Sequence, residues 1–232
     1  MPVFADSASP PVVPRGRFLV LEGIDGCGKT TQLEALAAWL PGSGLLPSGA
    51  RLLTTREPGG TGLGRALRQL LLHAPAEQAP CPEAELLLYA ADRAQHVQTV
   101  ILPALAAGDW VLSDRYVGST AAYQGHGRGL DTGLIGRLEA IATAGLQPDV
   151  TLWLDLPLEQ SLARRSARAA DRIEAAGAAF LARVAAGFAT EAGERGWWRI
   201  AAEAPPPQVT QDCIAALRQA LTDRPGGSAG VA

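Results

Sequence analysis

One stretch near the amino terminus has the residue types and spacing to bind phosphate: Gly23-Ile24-Asp25-Gly26-Cys27-Gly28-Lys29-Thr30. Glycines at this spacing let successive backbone N–H groups converge on a polyphosphate, and the positive end of a following helix adds to the attraction. A lysine in this position reaches the β- and γ-phosphates, and the hydroxyl after it binds Mg²⁺. The pattern therefore predicts a site for a nucleoside triphosphate and its Mg²⁺ ion.

The segments on either side of this loop supply the structural context that the motif requires. The apolar run 18–21 predicts a buried strand, and residues 31–40 have the apolar spacing of an amphipathic helix. A glycine-rich turn between a strand and a helix separates a phosphate-binding loop from a chance glycine cluster. We predict that nine consecutive residues bind the triphosphate: Gly23, Ile24, Asp25, Gly26, Cys27, Gly28, Lys29, Thr30 and Thr31.

Two further polar clusters follow predicted strands. Residues 56–61 (Arg-Glu-Pro-Gly-Gly-Thr) come after a short strand at 51–55, and residues 114–116 (Asp-Arg-Tyr) come after a strand at 109–113. The carboxyl ends of parallel strands meet at one edge of a sheet, where ligands gather in open α/β folds. We therefore expect both clusters to lie beside the glycine-rich loop.

Three charged residues in these clusters have the chemistry of phosphoryl transfer. Asp114 predicts a carboxylate for the Mg²⁺ shell, with a helix cap or turn residue as the alternative. Arg115 predicts a fork that binds phosphate. Asp25 is placed inside the loop near the transferred phosphoryl group, and a simple turn residue is its alternative.

A cluster of four arginines occurs later in the chain, at positions 164, 165, 168 and 172. Arg164, Arg168 and Arg172 would share one helical face if the helix continued unbroken. Such a row is usually a solvated face. The alternative, which we favour, is a lid over about 159–174 that excludes water and holds cations over the transferring group.

Short apolar strands alternate with helical segments along most of the chain, which predicts an α/β fold of the P-loop NTPase type. We expect a parallel sheet of about five strands with helices on both faces. One domain is predicted over 17–222, after a disordered leader at 1–16 and before a flexible tail at 223–232. We also expect Pro103 to kink or divide a long helix at 83–107.

Two segments are expected to be peripheral. The glycine-rich stretch 125–129 predicts a flexible segment over the acceptor. The three histidines, His73, His96 and His126, are not clustered, and we expect each to be a surface or loop residue.

Composition excludes several classes of protein. The formal charge of −3 does not favour sequence-independent nucleic-acid binding. Three widely separated cysteines fit neither a disulfide framework nor a zinc cluster, and they favour a reduced cytoplasm. No apolar run approaches the roughly 18 residues that a membrane-spanning helix needs, so no membrane partner is expected.

Taken together, these residues resemble the thymidylate kinase family over roughly residues 18–221. The resemblance rests on five motifs in a fixed order, at 18–31, 55–61, 88–93, 113–124 and 171–174. It implies ATP-dependent phosphorylation of dTMP to dTDP in dTTP biosynthesis, with Mg²⁺, in a fold of the nucleoside monophosphate kinase type. It also implies a homodimer. The alternatives are a kinase for another (deoxy)nucleotide or a deoxynucleoside, or an ATPase or switch module.

The resemblance also assigns residues to the acceptor, dTMP. Tyr89 would stack on thymine, and Arg93, Thr120 and Ser119 would bind its polar edges. Tyr123, with Gln124 beside it, would favour deoxyribose. Arg56 and Arg115 would approach the phosphate, and Asp25 would approach the sugar 3′-OH. The predicted acceptor-binding residues are Asp25, Arg56, Tyr89, Arg93, Arg115, Ser119, Thr120, Tyr123 and Gln124.

Catalytic and metal-binding residues follow in the same way. Members of the family take a catalytic arginine either from the phosphate loop or from the lid, and Gly26 and Cys27 stand at the loop positions here. The lid must therefore supply it, with more than one candidate. The predicted catalytic residues are Lys29, Arg115, Asp25, Arg164, Arg165 and Arg168, and the predicted metal-binding residues are Thr30, Asp114 and Asp25.

Overall fold

A computed structural model describes residues 14–166 and 171–222, and in it five parallel strands form one sheet. The strands are β1 (Phe18–Glu22), β2 (Leu52–Arg56), β3 (Trp110–Asp114), β4 (Val150–Asp155) and β5 (Trp198–Ala201). Their spatial order is β2-β3-β1-β4-β5, and every neighbouring pair is parallel. The predicted fold class is confirmed.

Strand β1 lies at the centre of the sheet because apolar side chains cover both of its faces. Leu19 and Leu21 belong to one buried cluster, with residues of the first and last helices of the chain. Phe18 and Val20 belong to another, with the helical segments that precede β3. All five residues of β1 are buried, as a central parallel strand requires.

Nine α-helices occur in the described part of the chain. They are α1 (Lys29–Trp39), α2 (Gly62–His73), α3 (Pro82–His96), α4 (Leu102–Ala106), α5 (Val117–Thr120), α6 (Thr132–Thr143), α7 (Leu158–Arg165), α8 (Ala178–Arg195) and α9 (Pro206–Thr222). Side chains cap two of them: Thr61 accepts a hydrogen bond from Gly64 N at the start of α2, and Asp131 accepts one from Leu134 N at the start of α6.

The long helix predicted at 83–107 is divided, as expected. A π-helical segment, Val97–Ile101, separates α3 from α4, and Pro103 lies in the first turn of α4. Proline has no N–H to donate to the preceding turn, so the regular hydrogen-bond ladder is interrupted close to this position.

The prediction of a flexible segment at 125–129 is wrong for most of its length. A second π-helical segment, Ala121–Gly127, continues from α5, and Gly125 and Gly127 are both buried. Arg183 of α8 donates to the carbonyl oxygen of Gly127 from Nε at 3.0 Å and from Nη2 at 2.8 Å. A Cβ added at Gly127 would lie 2.7 Å from Phe180 Cε2, so this glycine allows close packing against α8.

The ends of the predicted domain are only partly described. Gly16 is buried, and its backbone N–H donates to the carbonyl oxygen of Leu105 at 2.8 Å, so chain order begins at or before this residue. The rest of the predicted leader, at 1–13, and the predicted tail at 223–232 lie outside the described residues. Among the described helices, none has the length and apolar content needed to cross a membrane.

Candidate active site

The glycine-rich loop joins β1 to α1 and wraps around the side chain of Lys29. The ammonium Nζ donates to the carbonyl oxygens of Gly23 and Ile24, each at 3.0 Å, and lies 3.6 Å from Cys27 Sγ. Lys29 is the first residue of α1 and is buried. The loop and the first turn of the helix therefore meet at one positive group, as the phosphate-binding motif requires.

A polar cavity lies directly over this loop. Its walls include most of the predicted triphosphate residues, together with the predicted metal ligand Asp114 and arginines from three other elements. The residues of the loop and first turn that line it are Asp25, Gly26, Gly28, Lys29, Thr30 and Thr31. The remaining loop residues, Gly23, Ile24 and Cys27, are buried behind them.

Cys27 belongs to the apolar core and is 2% exposed. Burial raises the pKa of its thiol above the ordinary value, although the charges of Lys29 and Arg115 oppose the change. A buried thiol with a raised pKa stays protonated at neutral pH and is a poor nucleophile. Its role is to pack the loop against the core.

Two oxygen-bearing side chains stand where Mg²⁺ is predicted. Thr30 Oγ1 donates to Asp114 Oδ2 at 3.3 Å, and the other carboxylate oxygen, Asp114 Oδ1, is buried and has no hydrogen-bond partner in the described part of the chain. A hydroxyl and a carboxylate are ligands that suit Mg²⁺, which in kinase sites is completed by water and substrate phosphates. These residues fit the predicted ion.

Arg115 follows β3 and points its guanidinium across the loop. Nη1 donates to Ser119 Oγ at 2.8 Å and to Gly23 O at 3.1 Å, and Nη2 donates to Asp25 Oδ1 at 2.6 Å. Tyr123 donates its hydroxyl to Asp25 Oδ2, also at 2.6 Å. Both oxygens of Asp25 are thus engaged by protein groups, and its predicted metal role stays a prediction.

The charge of Asp25 depends on these neighbours. Burial by itself would raise the pKa of this carboxyl, but the positive charges of Arg115 and Lys29 outweigh it and hold the pKa well below its ordinary value. The hydrogen bonds from Tyr123 and Arg115 act in the same direction. Asp25 is therefore ionised at neutral pH, and its charge fixes the position of Arg115.

A second cavity adjoins the first at Asp25 and Arg115. Eight of the nine predicted acceptor residues line it, and the ninth, Arg56, lines the polar cavity next to it. The eight are Asp25, Tyr89, Arg93, Arg115, Ser119, Thr120, Tyr123 and Gln124. The glycine-rich loop, α3, the residue after β3, α5 and the π-helical segment that follows α5 are thus brought together, as the motifs predict.

Arg93 is held rigidly in the wall of this acceptor cavity. It is 3% exposed, its Nε donates to Glu57 Oε2 at 2.7 Å, and its Nη2 donates to the carbonyl oxygen of Tyr116 at 3.0 Å. Burial alone would lower the pKa of Arg93, but the charge of Glu57 and its hydrogen bond raise it. The guanidinium is therefore a fixed, charged donor.

The expectation that His96 is a surface or loop residue is wrong. His96 ends α3, is fully buried, and lies between two partners: Glu57 Oε1, 2.9 Å from Nδ1, and Thr55 Oγ1, 2.7 Å from Nε2. Because both ring nitrogens have partners, the imidazole can be buried at little cost. It supports Glu57 from the side opposite Arg93.

Two glycines after β2, Gly60 and Gly64, let the backbone pack directly against side chains of α3. A Cβ added at Gly60 would lie 2.5 Å from His96 Nε2, and one added at Gly64 would lie 2.2 Å from Asp92 Oδ1. Real Cβ atoms do not approach other atoms this closely. The contact therefore depends on the absence of side chains at these two positions.

The predicted arginine face of the lid does not form. Helix α7 ends at Arg165, and Arg172 lies beyond the gap, where its Nη2 binds Glu85 and its Nε donates to Leu71 O at 2.8 Å. Arg168 lies outside the described residues. The row fails because it assumed a helix that continues past residue 165.

The two described lid candidates face different places. Arg165 is 8% exposed and lies beside Gly26, and its Nη1 is 3.3 Å from Glu174 Oε1. Its Nη2 is buried and has no hydrogen-bond partner among residues 14–166 and 171–222. Arg164 is exposed, and its Nη2 donates to Ala202 O at 3.0 Å. Arg165 is therefore the one packed against the loop.

Comparison with known proteins identifies the family. A family model described as thymidylate kinase matches residues 21–214, which is well over half of the chain. The chain belongs to the thymidylate kinase family.

Individual relatives agree with this assignment. Thymidylate kinase of Synechococcus sp. strain WH7803 is 72% identical over 207 residues, covering 89% of this chain and 95% of the relative. The thymidylate kinase of Prochlorococcus marinus strain MIT 9313 is 70% identical over 182 residues, covering 78% of this chain and 84% of that relative. A crystal structure of thymidylate kinase from Ehrlichia chaffeensis has a TM-score of 0.69 at 32% identity, covering 88% of this chain and 99% of that one.

Within this thymidylate kinase site, sequence reasoning missed Arg68. The residue lies on α2, lines both cavities, and donates from Nη1 to Pro58 O at 3.0 Å. Burial and the positive charges of Arg56 and Arg115 lower the pKa of Arg68. Cations that repel one another in this way form an anion site. Nothing in the helical spacing of α2 distinguishes Arg68 from a surface arginine.

A third cavity, of about 430 Å³, was also not predicted. It lies beside the glycine-rich loop on the side away from the acceptor cavity, between Arg164 and the segment that joins β5 to α9. That segment has the composition of an ordinary connection, so the sequence contains no indication that it borders a site. The lining residues from it are Ala202, Glu203, Ala204 and Pro205, and Pro206 at the start of α9 also lines the cavity.

Asp92 predicts a distinctive dependence of stability on pH. Burial and the charge of Glu57 raise its pKa from 3.8 to about 6, and its Oδ2 has no hydrogen-bond partner within the residues that the structure describes. Because the folded pKa lies above the unfolded one, stability from this group is fully present below about pH 4. We expect it to be lost as pH rises to about 6, by about 3 kcal/mol in total.

Urea unfolding of Asp92→Asn between pH 4 and 8 tests this expectation. The asparagine keeps an acceptor for Gly59 N, which Asp92 Oδ1 binds at 3.1 Å. The free energy of unfolding of the variant should equal that of the unmodified chain near pH 4 and exceed it at pH 8. Glu83→Gln, at an exposed site on the same helix, is the control and should show no such trend. A pH-independent difference for Asp92→Asn would contradict the prediction.

Proposed function

We propose that this chain transfers the γ-phosphoryl group of ATP to dTMP, giving dTDP for dTTP biosynthesis. Membership of the thymidylate kinase family supports this activity. The observation that carries it furthest is the junction of two cavities, one over the phosphate-binding loop and one lined by eight predicted acceptor residues. They share Asp25 and Arg115, which is where two phosphates must meet for transfer.

The loop and α1 would hold the donor. Backbone N–H groups of the loop and the ammonium of Lys29 bind the β- and γ-phosphates. Thr30 and Asp114 would hold Mg²⁺, which supplies charge neutralisation on those phosphates. The third cavity, between Arg164 and the segment before α9, is large enough and correctly placed to take the base of ATP.

The acceptor cavity would hold dTMP. Tyr89 stacks on the thymine ring, and Arg93, fixed by Glu57, donates to its edge. Thr120, Ser119 and Gln124 provide further polar contacts. Tyr123, held by Asp25, occupies the space of a ribose 2′-OH, so deoxyribose is favoured.

Little covalent chemistry is required of the protein. The second pKa of a phosphate monoester is near 6, so dTMP is mostly a dianion at neutral pH and attacks without a general base. The task is to align two phosphates and to neutralise their charge away from water. Arg56, Arg68 and Arg115 would meet the acceptor phosphate, and Arg165 would meet the transferring group.

A coupled assay for ADP release tests this function. Purified chain with ATP and Mg²⁺ is given dTMP, dUMP, dCMP, dGMP, AMP or thymidine, or no acceptor. We expect dTMP to be the best acceptor, with dUMP about 10–200-fold less efficient because one methyl group separates them. Preference for another nucleotide or for thymidine would overturn the substrate, and turnover without an acceptor would favour an ATPase or switch module.

We also propose that the protein is a cytoplasmic homodimer. Helices α2, α3 and α6 lie side by side, with α3 in the middle. Large apolar side chains on all three helices are exposed, and contact with a second copy of the chain would bury them. The exposed residues are Leu63, Leu70, Leu87, Leu134 and Ile141.

Leu87→Glu should weaken this homodimer. Leu87 is 55% exposed on the central helix α3, so a charge there would be buried on both sides of a symmetric interface. Light scattering should find a dimer for the unmodified chain and a shift towards monomer for the variant. Leu162→Glu, on α7 outside this face, is the control and should remain dimeric. A monomeric unmodified chain would contradict the proposal.

A further inference from the structure

One buried carboxylate beside the site has no role in the steps above. Glu22 ends β1 and is 1% exposed. It does not line the acceptor cavity or the polar cavity over the loop. Instead it borders a separate cavity of about 390 Å³ on the far side, together with Gly118, Thr151 and Trp197. Glu22 therefore lies behind Arg115, away from both substrates.

Three hydrogen-bond donors converge on this carboxylate. Oε1 accepts from the backbone N–H groups of Tyr116 and Ser119, at 2.9 and 3.1 Å, and Oε2 accepts from Ser119 Oγ at 2.6 Å. Burial raises the pKa of Glu22, whereas these hydrogen bonds and the charge of Arg115 favour its ionised form. All three donors belong to the segment that immediately follows Arg115.

This segment needs support because Arg115 has an unfavourable backbone conformation. Its φ is +74°, in the left-handed region that residues other than glycine rarely adopt. Such a conformation is unfavourable and persists only where surrounding contacts hold it. The hydrogen bonds that Glu22 accepts from the N–H groups of Tyr116 and Ser119 hold the chain directly after the strained residue.

The side chain of Ser119 extends the link to the guanidinium. A serine hydroxyl has one hydrogen to donate, and here it is directed at Glu22. The oxygen lone pairs are then free to accept from Arg115 Nη1, at 2.8 Å. The other end of the guanidinium binds Asp25, so Glu22 and Asp25 hold it from opposite sides.

We infer that Glu22 is a positioning residue that holds Arg115 in place for phosphoryl transfer, through the N–H groups of Tyr116 and Ser119 and the Ser119 hydroxyl. The inference rests on the proposed function and extends it by one residue. Glu22 meets neither nucleotide, and its effect reaches the reaction through Arg115.

Glu22→Gln is the test variant because glutamine has the same shape but presents an NH₂ group to Ser119. The hydroxyl can no longer donate there, and Arg115 loses its fixed acceptor. We expect kcat to fall by about 10–100-fold, since misplacement of a catalytic group by about 1 Å has this effect. The KM for ATP should stay within about twofold. Glu191→Gln, a buried carboxylate on α8, is the matched control and should keep nearly the full kcat.

The same substitution made in an Arg115→Ala background separates positioning from general structure. If Glu22 acts through Arg115, removing both should cost little more than removing Arg115 alone, a further loss of less than about threefold. An equal fold-loss in both backgrounds would overturn the inference. So would a kcat for Glu22→Gln within about twofold of the unmodified chain.

A crystal structure of the Glu22→Gln variant tests the inference without using the reaction. We expect the guanidinium of Arg115 to leave Ser119. A guanidinium still bound to both Ser119 and Asp25 would overturn the inference even if the unmodified chain proved to prefer another acceptor. Failure of the unmodified chain to phosphorylate dTMP would instead count against the proposed function.

Discussion

Arg115→Ala is expected to lower kcat for dTMP phosphorylation by on the order of 1,000-fold. The guanidinium stands where the two cavities meet and is fixed by Ser119 and Asp25. Removing one well-placed electrostatic contact typically costs 100- to 1,000-fold, and arginines in phosphoryl transfer reach the upper end. Steady-state rates with saturating ATP and dTMP provide the measurement.

Arg115→Lys sharpens the result. Lysine keeps the charge but cannot bind Ser119 and Asp25 with two ends of a planar group, so we expect it to recover no more than about tenfold. Arg51→Ala is the control, because Arg51 is an exposed arginine that pairs with Asp109 at the opposite end of the sheet. Near-normal kcat for Arg115→Lys would show that positive charge alone suffices. It would contradict the prediction that the guanidinium must bind at both ends.

Arg165→Ala should lower kcat by about 100-fold or more, with little change in the KM for ATP. Arg165 is buried beside the phosphate-binding loop, and its Nη2 has no hydrogen-bond partner within the described residues. A donor in this position can bind charge that develops on the transferring group. Single-turnover measurements at saturating ATP isolate this step.

Arg164→Ala is the matched comparison, since the two arginines are adjacent in sequence. Arg164 binds Ala202 O beside the third cavity, so its loss should raise the KM for ATP and leave kcat within a few fold. The reverse pattern would assign the catalytic role to Arg164. A large loss of kcat confined to Arg168→Ala would place that role outside the described residues.

The sequence alone was sufficient to predict those parts of the site that are formed by consecutive residues. The loop at 23–30 and the segment 114–116 each follow a strand directly, so local order places Lys29 and Arg115 at the sheet edge. The parallel sheet could be predicted for the same reason, because alternating apolar strands and helices allow few arrangements. The element boundaries differ from those predicted by only a few residues.

The sequence was insufficient where function depends on which side of a helix faces a cavity. Arg68 and a surface arginine look alike until α2 is placed against the loop before it. His96 looked peripheral because its partners, Thr55 and Glu57, are about 40 residues away. Arg172 does not extend the arginine row of Arg164, because α7 ends at Arg165 and Arg172 binds Glu85 and Leu71 O instead.

The bare backbone contact at Gly60 and Gly64 has a consequence for how the chain tolerates substitution. Even alanine at either position would collide with His96 or Asp92, and the displaced groups include the support of Glu57 and hence of Arg93. The added methyl group would thus disturb Arg93, the residue that we propose binds the base. In a library of random variants selected for growth, almost all survivors should therefore keep glycine at these two positions, although neither residue lines the acceptor cavity or the polar cavity.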